Sequence, residues 1–289
     1  MIELCTAALL FAAAPDSLAF DVYDARGRPT EMAAVCGALG GADVVFLGER
    51  HDDATAHAIQ RELLAAASMQ AGATGRPLVL GLEMVETDVQ TVLDEYLAGL
   101  VRESDWLAAG RPWSNYETDY RPLVEFARED GAAVVGTNAP ARYVSLVSRR
   151  GGTAVLDSLG DEARAWLPLP VAPPSDALAA KFTDLMGGMA HGAGPSVEGM
   201  LAAQNLRDAS MADRIARALD DRPEALVIHV NGSFHSEGRL GIPEHLARLA
   251  PEARTLVVTM RPDDGTPPIA EGDDFVILTR GGVDRRRVE

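Results

Sequence analysis

Six short runs of consecutive apolar residues punctuate the chain, near 43–48, 77–83, 132–138, 224–231, 254–260 and 274–279. Runs of this length without polar alternation predict strands covered by helices on both faces, the habit of a parallel sheet. Between the first two, Asp52 or Asp53 can cap a helix that carries Ile59, Leu63 and Leu64 and ends near Gly72, which makes a βαβ unit. After the third, Pro140 stands at a first helical position and that helix stops at Gly151 and Gly152.

Two stretches, 86–128 and 155–220, are too long for simple crossovers. In the first, Val89, Val92, Leu93, Tyr96, Leu97 and Leu100 recur at helical spacing, and a link through Trp106, Trp113, Tyr116 and Tyr120 leads into a helix with Leu123, Val124 and Phe126. The second has a break at Pro168, Pro170, Pro173 and Pro174, a Gly-rich stretch from Gly187 to Gly194, and a long helix with Met200, Leu201, Met211, Ile215 and Leu219. The pattern predicts one three-layer α/β/α domain over 18–289 with a mainly parallel sheet. The two stretches are expected to form a small helical subdomain beside its mouth.

Composition narrows the partners. With 26 basic and 43 acidic residues among 289, the formal charge is −17. That disfavours nucleic acid and acidic membrane surfaces, which need clustered cations. Lys181 is the sole lysine, and no chemistry is expected of it. Cys5 and Cys36 are too few for a disulfide framework or a four-cysteine zinc site, so a metal would have to use His and carboxylates. The stretch Leu4 to Ala14 is apolar but too short to span a bilayer and follows Glu3, so 1–17 reads as a signal remnant or an N-terminal extension.

The candidate chemistry stands at the strand ends. Gly48-Glu49-Arg50-His51 and Gly232-Ser233-Phe234-His235 are two copies of Gly-x-x-His, each directly beyond an apolar run. Two further runs end in Glu83 and Asn138. Ligands of open parallel sheets bind beyond the carboxyl ends of the strands, so these residues should share one crevice. His51, Glu83 and His235 could ligate a divalent metal, with Glu49 as a base or as the acceptor that fixes an imidazole tautomer. Without metal they could run general acid/base chemistry. A strand-end Glu or His can also merely cap a helix, and a glycine can merely permit a turn.

Elsewhere the readings are blander. His57 should be partly solvent-facing, His229 a satisfied core histidine and His245 part of a surface helix. His191, in a Gly-rich loop, could reach over a large cofactor. Tyr116, Tyr120 and Tyr143, with Met186, Met189 and Met200, could wall a pocket for a flat ligand, since a phenolate can ligate haem iron; core packing is the alternative. Arg142 could pair with a ligand carboxylate or form a surface ion pair.

Taken with Tyr120-Arg121-Pro122-Leu123, Asn138-Ala139-Pro140-Ala141-Arg142, Gln204-Asn205-Leu206-Arg207-Asp208 and Gly241-Ile242-Pro243, these motifs resemble the ChaN-like haem-binding family, within the superfamily of Tiki and TraB proteins and erythromycin esterases. The resemblance covers about 18 to 280. It implies an α/β domain with a small helical bundle, haem or iron uptake, and an exported or lipid-anchored location. For the superfamily it implies hydrolysis, with His51, Glu83, Arg142 and His235 at matching positions. Haem or another small molecule is then the expected ligand, and a second copy in a homodimer the expected macromolecular partner. No lipobox precedes either cysteine, which counts against membrane anchoring.

Overall fold

All six apolar runs become strands in the computed structural model, which describes residues 19–186 and 196–280. In chain order the elements are β1 (Ala19–Asp24), β2 (Pro29–Thr30), α1 (Met32–Leu39), β3 (Val44–Glu49), α2 (Ala54–Thr74), β4 (Leu78–Glu86), α3 (Gln90–Leu97), α4 (Glu103–Gly110) and α5 (Arg121–Asp130). There follow β5 (Ala133–Asn138), α6 (Ala141–Arg150), α7 (Asp161–Arg164), α8 (Asp176–Met186), α9 (Val197–Asp221), β6 (Leu226–Gly232), α10 (Ile242–Leu249), β7 (Thr255–Pro262) and β8 (Phe275–Arg280). A π-helical turn, Tyr116–Tyr120, runs directly into α5.

One eight-stranded sheet has the order β2-β1-β8-β7-β3-β6-β4-β5. Every pairing from β8 to β5 is parallel, and β1 closes the far side antiparallel to β8 and β2. Because β6 inserts between β3 and β4, the ends bearing His51, His235 and Glu83 are neighbours across two ladders. The β4–β5 register shifts between Leu82 and Glu86, so Glu83 leaves the ladder where the strand bends.

Alternate residues of the strands feed opposite faces. Val45, Leu47, Leu80 and Leu82 join α1, α2 and the helices of 86–128 in one core cluster, while Val44, Phe46 and Val79 meet Met211, Ile215 and Leu246 on the other side. A third cluster binds α6 to α9 through Val144, Val147 and Leu206. The helical stretches are therefore divided between the faces and flank the strand ends from both sides. At the start of α2, Asp53 accepts from the backbone of Thr55 and Ala56, and Gly75 closes the helix in the left-handed region. No helix among the described residues is long and apolar enough to cross a membrane.

Candidate functional site

The two Gly-x-x-His segments need each other's glycine. A Cβ at Gly232 would stand 2.9 Å from Cε1 and Nε2 of His51, and one at Gly48 would stand 3.0 Å from Ser236 Oγ and 3.1 Å from Ser233 Cα. Bare backbone at both strand ends thus lets the first histidine lie on β6 and the second loop cross β3. The loop is braced from within the sheet. His229, fully buried, lies 2.9 Å from Thr137 Oγ1 and 3.0 Å from Asn231 Oδ1, and the Asn231 amide donates to Ser236 Oγ. Burial holds this imidazole down at about 4, so it is neutral and structural.

Two carboxylate-held imidazoles converge on Glu83. His51 donates from Nδ1 to Glu49 Oε1 at 2.9 Å, and His235 from Nδ1 to Asp208 Oδ1 at 2.6 Å. Glu83 is buried beside His235, and it and His51 both approach Gly232. Its Oε2 accepts from the Gly232 amide at 2.7 Å, and its Oε1 lies 3.5 Å from His235 Nε2. For both histidines burial works against the charged form, and the carboxylates outweigh it. The bond to Glu49 with the charges of Glu83 and Glu49 raises His51, and Glu83 with Asp208 raises His235. Locking Nδ1 to a carboxylate fixes the ring and leaves Nε2 as the reactive nitrogen. Glu49, Glu83, Asn138, Asp208 and His235 are buried, whereas the His51 side chain is 42% exposed. Asn138 donates to the Glu83 carbonyl and accepts from Arg207.

Behind His51 lies a layer that strand-end patterning does not reveal. Burial works against the Glu49 charge, but bonds from His51, His57 and Tyr120 outweigh it and hold Glu49 below the ordinary carboxylate range. Gln60 also donates to it at 2.6 Å. His57, expected near solvent, is instead buried, 3.0 Å from Glu49 Oε2 and 3.7 Å from Asp119. Burial opposes its charge, yet Glu49 and Asp119 push it up to about 9. His245, expected on a surface helix, is also buried, its Nε2 2.9 Å from Asn205 Oδ1. Both placements follow from which helix face meets the sheet, a tertiary fact.

The remaining candidates separate. Tyr120 is fully buried and its hydroxyl donates to Glu49 Oε1 at 2.6 Å; burial and Glu49 raise its pKa far above the phenol range. Tyr116 is buried in the main core, where desolvation pushes it up to about 12. Tyr143 on α6 is half-buried, with the Arg142 guanidinium 4.3 Å above its ring. Arg142 is exposed and pairs with Asp88, which also binds Arg111 at 2.8 Å, so it stands on the rim rather than in the crevice. His191 and Met189 lie outside the described residues. Lys181 is structural, because its ammonium donates to the Phe234 and Glu237 carbonyls at 3.1 and 3.2 Å and so pins the loop that carries His235. Among the described residues no group of three or more His, Cys, Asp or Glu is arranged to hold a metal ion. Of the three tyrosine candidates only Tyr143 is not buried, and the Arg142 cation stands over its ring, which leaves it as the phenol that a haem could reach.

A family described as haem-binding uptake, Tiki superfamily, ChaN matches residues 35–246 of the chain. Among solved structures, ChaN of Campylobacter jejuni, described with cofacial haem binding, aligns over 92% of this chain and 98% of its own at 18% identity and a TM-score of 0.70. A mutant of erythromycin esterase EreC in its open conformation aligns over 89% of this chain and 82% of its own, at 15% identity and a TM-score of 0.44. The type III effector HopBA1 aligns over 91% and 97%, at 12% identity and a TM-score of 0.45. No curated protein sequence matches.

Proposed function

Since the chain belongs to the ChaN family of haem-binding uptake proteins in the Tiki superfamily, we propose that it binds haem through the Tyr143 phenol, with Arg142 as counter-charge to a propionate. The observation that carries the residue assignment is the stacked Arg142–Tyr143 pair, since Tyr116 and Tyr120 have their phenols inside the core. A chain of charge −17 repels a doubly anionic ligand, so a local guanidinium is required, and Arg142 would exchange Asp88, which Arg111 also binds, for the propionate. Tyr143 and Arg142, side by side on α6, would hold the haem there, the phenol offering an oxygen ligand and the guanidinium a counter-charge, and the bound haem would supply iron chemistry. Haemin titration should give a saturable Soret shift that Tyr143→Phe weakens at least tenfold. An unchanged titration in that variant removes Tyr143. No shift at micromolar protein removes haem binding itself. The same titration on a sizing column tests the homodimer, and fractionation of cells tests an exported location.

A second reading is favoured by one specific observation, the convergence of two carboxylate-held imidazoles on Glu83. We propose a hydrolytic centre of esterase, amidase or peptidase type, with or without a divalent metal. Glu83 or one neutral imidazole takes a proton from water and the opposite imidazolium gives one to the leaving group. Both Glu83→Gln and His51→Ala should abolish such activity while leaving the fold intact. Full activity in both variants rules this centre out.

A further inference from the structure

Arg207 is a half-buried cation at the crevice that forms no ion pair among the described residues. It lies on α9 beside the end of β5, with Nη1 donating to Asn138 Oδ1 at 3.1 Å. Its charge also reaches the His235 imidazole, which it opposes. Among the described residues Arg207 forms no ion pair, whereas the rim arginines Arg111 and Arg142 are both held by Asp88. One oxygen of each nearby carboxylate has another partner: Asp208 Oδ1 binds His235, and Glu83 Oε2 binds the Gly232 amide. On the same turn of α9, Gln204 Oε1 and Asp208 Oδ2 are buried acceptors with no partner; they can take a donor but contribute nothing to holding an anion, so the attraction here falls to the guanidinium. A partly desolvated guanidinium facing one neutral amide is unfavourable unless an anion joins it, and its fork matches carboxylate and phosphate oxygens.

The surroundings also specify what the anion is attached to. Trp113 lies edge-to-face with the His51 ring, centroids 4.7 Å apart, and Phe234 likewise with His235, centroids 5.4 Å apart, with Phe182 packed in turn on Phe234. Both reactive imidazoles are thus flanked by half-buried aromatic surface. We infer that the crevice holds a built oxyanion subsite, Arg207 with Asn138 and His235 beside it, for a carboxylate or phosphate carried on an apolar body. The subsite rests on the hydrolytic reading for what happens next to the ligand, but binding there can be measured without turnover.

Phenylphosphate and benzoate are the probes, with benzyl alcohol as the neutral control and the imidazole C–H signals of His51 and His235 as the readout. Either anion should shift the His235 signal saturably at millimolar concentration, and benzyl alcohol should not. Arg207→Gln should weaken binding at least tenfold, about 1.4 kcal/mol, with the surface variant Arg150→Gln unchanged. If Arg207→Gln does not fold, Asn138→Asp, which places a competing carboxylate beside the guanidinium, should weaken binding likewise. Equal affinity in the wild type and a folded variant, or an equal shift with benzyl alcohol, overturns the subsite. Haemin separates two sources of the oxyanion. If it displaces phenylphosphate, and loses affinity in Arg207→Gln, the occupant is a haem propionate; if neither happens, it is a separate small ligand. Retained anion binding in Glu83→Gln together with retained hydrolysis would sink the hydrolytic centre and leave the subsite standing.

Discussion

Asp208 does for His235 what Glu49 does for His51, and the two carboxylates can be distinguished from mere hydrogen-bond acceptors by the change to an amide. Asp208→Asn keeps an oxygen to accept the Nδ1 proton and removes the charge that helps to raise His235. An imidazole titration followed by NMR should therefore show the His235 pKa fall in that variant while His51, held by Glu49, moves little. If His235 titrates unchanged, Glu83 alone sets its charge and the pairing with Asp208 is only geometric. Glu83→Gln should lower both imidazoles, because its charge acts on each. Glu49, His51, Glu83, Asn138 and His235 are legible in the sequence because each closes an apolar run, and strand order then brings the ends together. Asp208 gives no such signal. It sits mid-helix among polar and apolar neighbours, and only the packing of α9 against β5 places it opposite His235. The same holds for His57 and Gln60 on α2, whose partner Glu49 is fixed by the sheet.

At the scale of elements, the close crossing of β3 and β6 ends is the feature most sensitive to a single atom. Gly232→Ala puts a methyl 2.9 Å from the His51 ring, against the β6 backbone, so the ring must leave Glu49 or the strand ends must part. Overpacking of this kind costs about 1–3 kcal/mol. The variant should melt lower and lose the coupling of His51 to Glu49, with the His51 pKa falling; an unchanged melt and titration would show that the crossing tolerates a methyl. The α2 cap is a second test. Asp53 accepts two backbone amides through Oδ1, and Thr279 of β8 donates to its Oδ2 at 2.5 Å, so Asp53→Ala should cost about 1–2 kcal/mol in denaturant melts. A change below a few tenths would mean that the cap contributes nothing net. The six parallel strands are readable because burial on both faces makes them continuous apolar runs. β1 gives no such run because it is antiparallel and near the sheet edge, and its Ala19–Asp24 segment mixes Asp21 and Asp24 with Phe20 and Val22.

For the whole molecule, charge and pH act through buried histidines of opposite character. His57 is raised in the fold to about 9 by Glu49 and Asp119 against the penalty of burial, from an ordinary value of 6.5. A raised histidine contributes stability that is fully present below about 6.5 and is lost as the pH climbs through about 9. His51 and His235, also raised, add loss of the same sign on the alkaline side. His229, held down at about 4, works in the other direction: the unfolded chain binds its proton first, so its contribution fades as the pH falls from 6.5 towards 4. Stability should therefore peak near neutrality and decline between pH 7 and 9.5, with His57 accounting for on the order of 2–3 kcal/mol of that decline. The net charge of −17 adds long-range repulsion, which salt screens, but the His57–Glu49–Asp119 contacts are buried and screened far less. Raising salt should lift stability at every pH without flattening the alkaline slope, whereas His57→Gln should flatten it. Denaturant melts at several pH values, at low and high salt, separate the two. A slope that salt removes and His57→Gln leaves in place would assign the pH dependence to surface charge and leave the buried histidine without a role in stability.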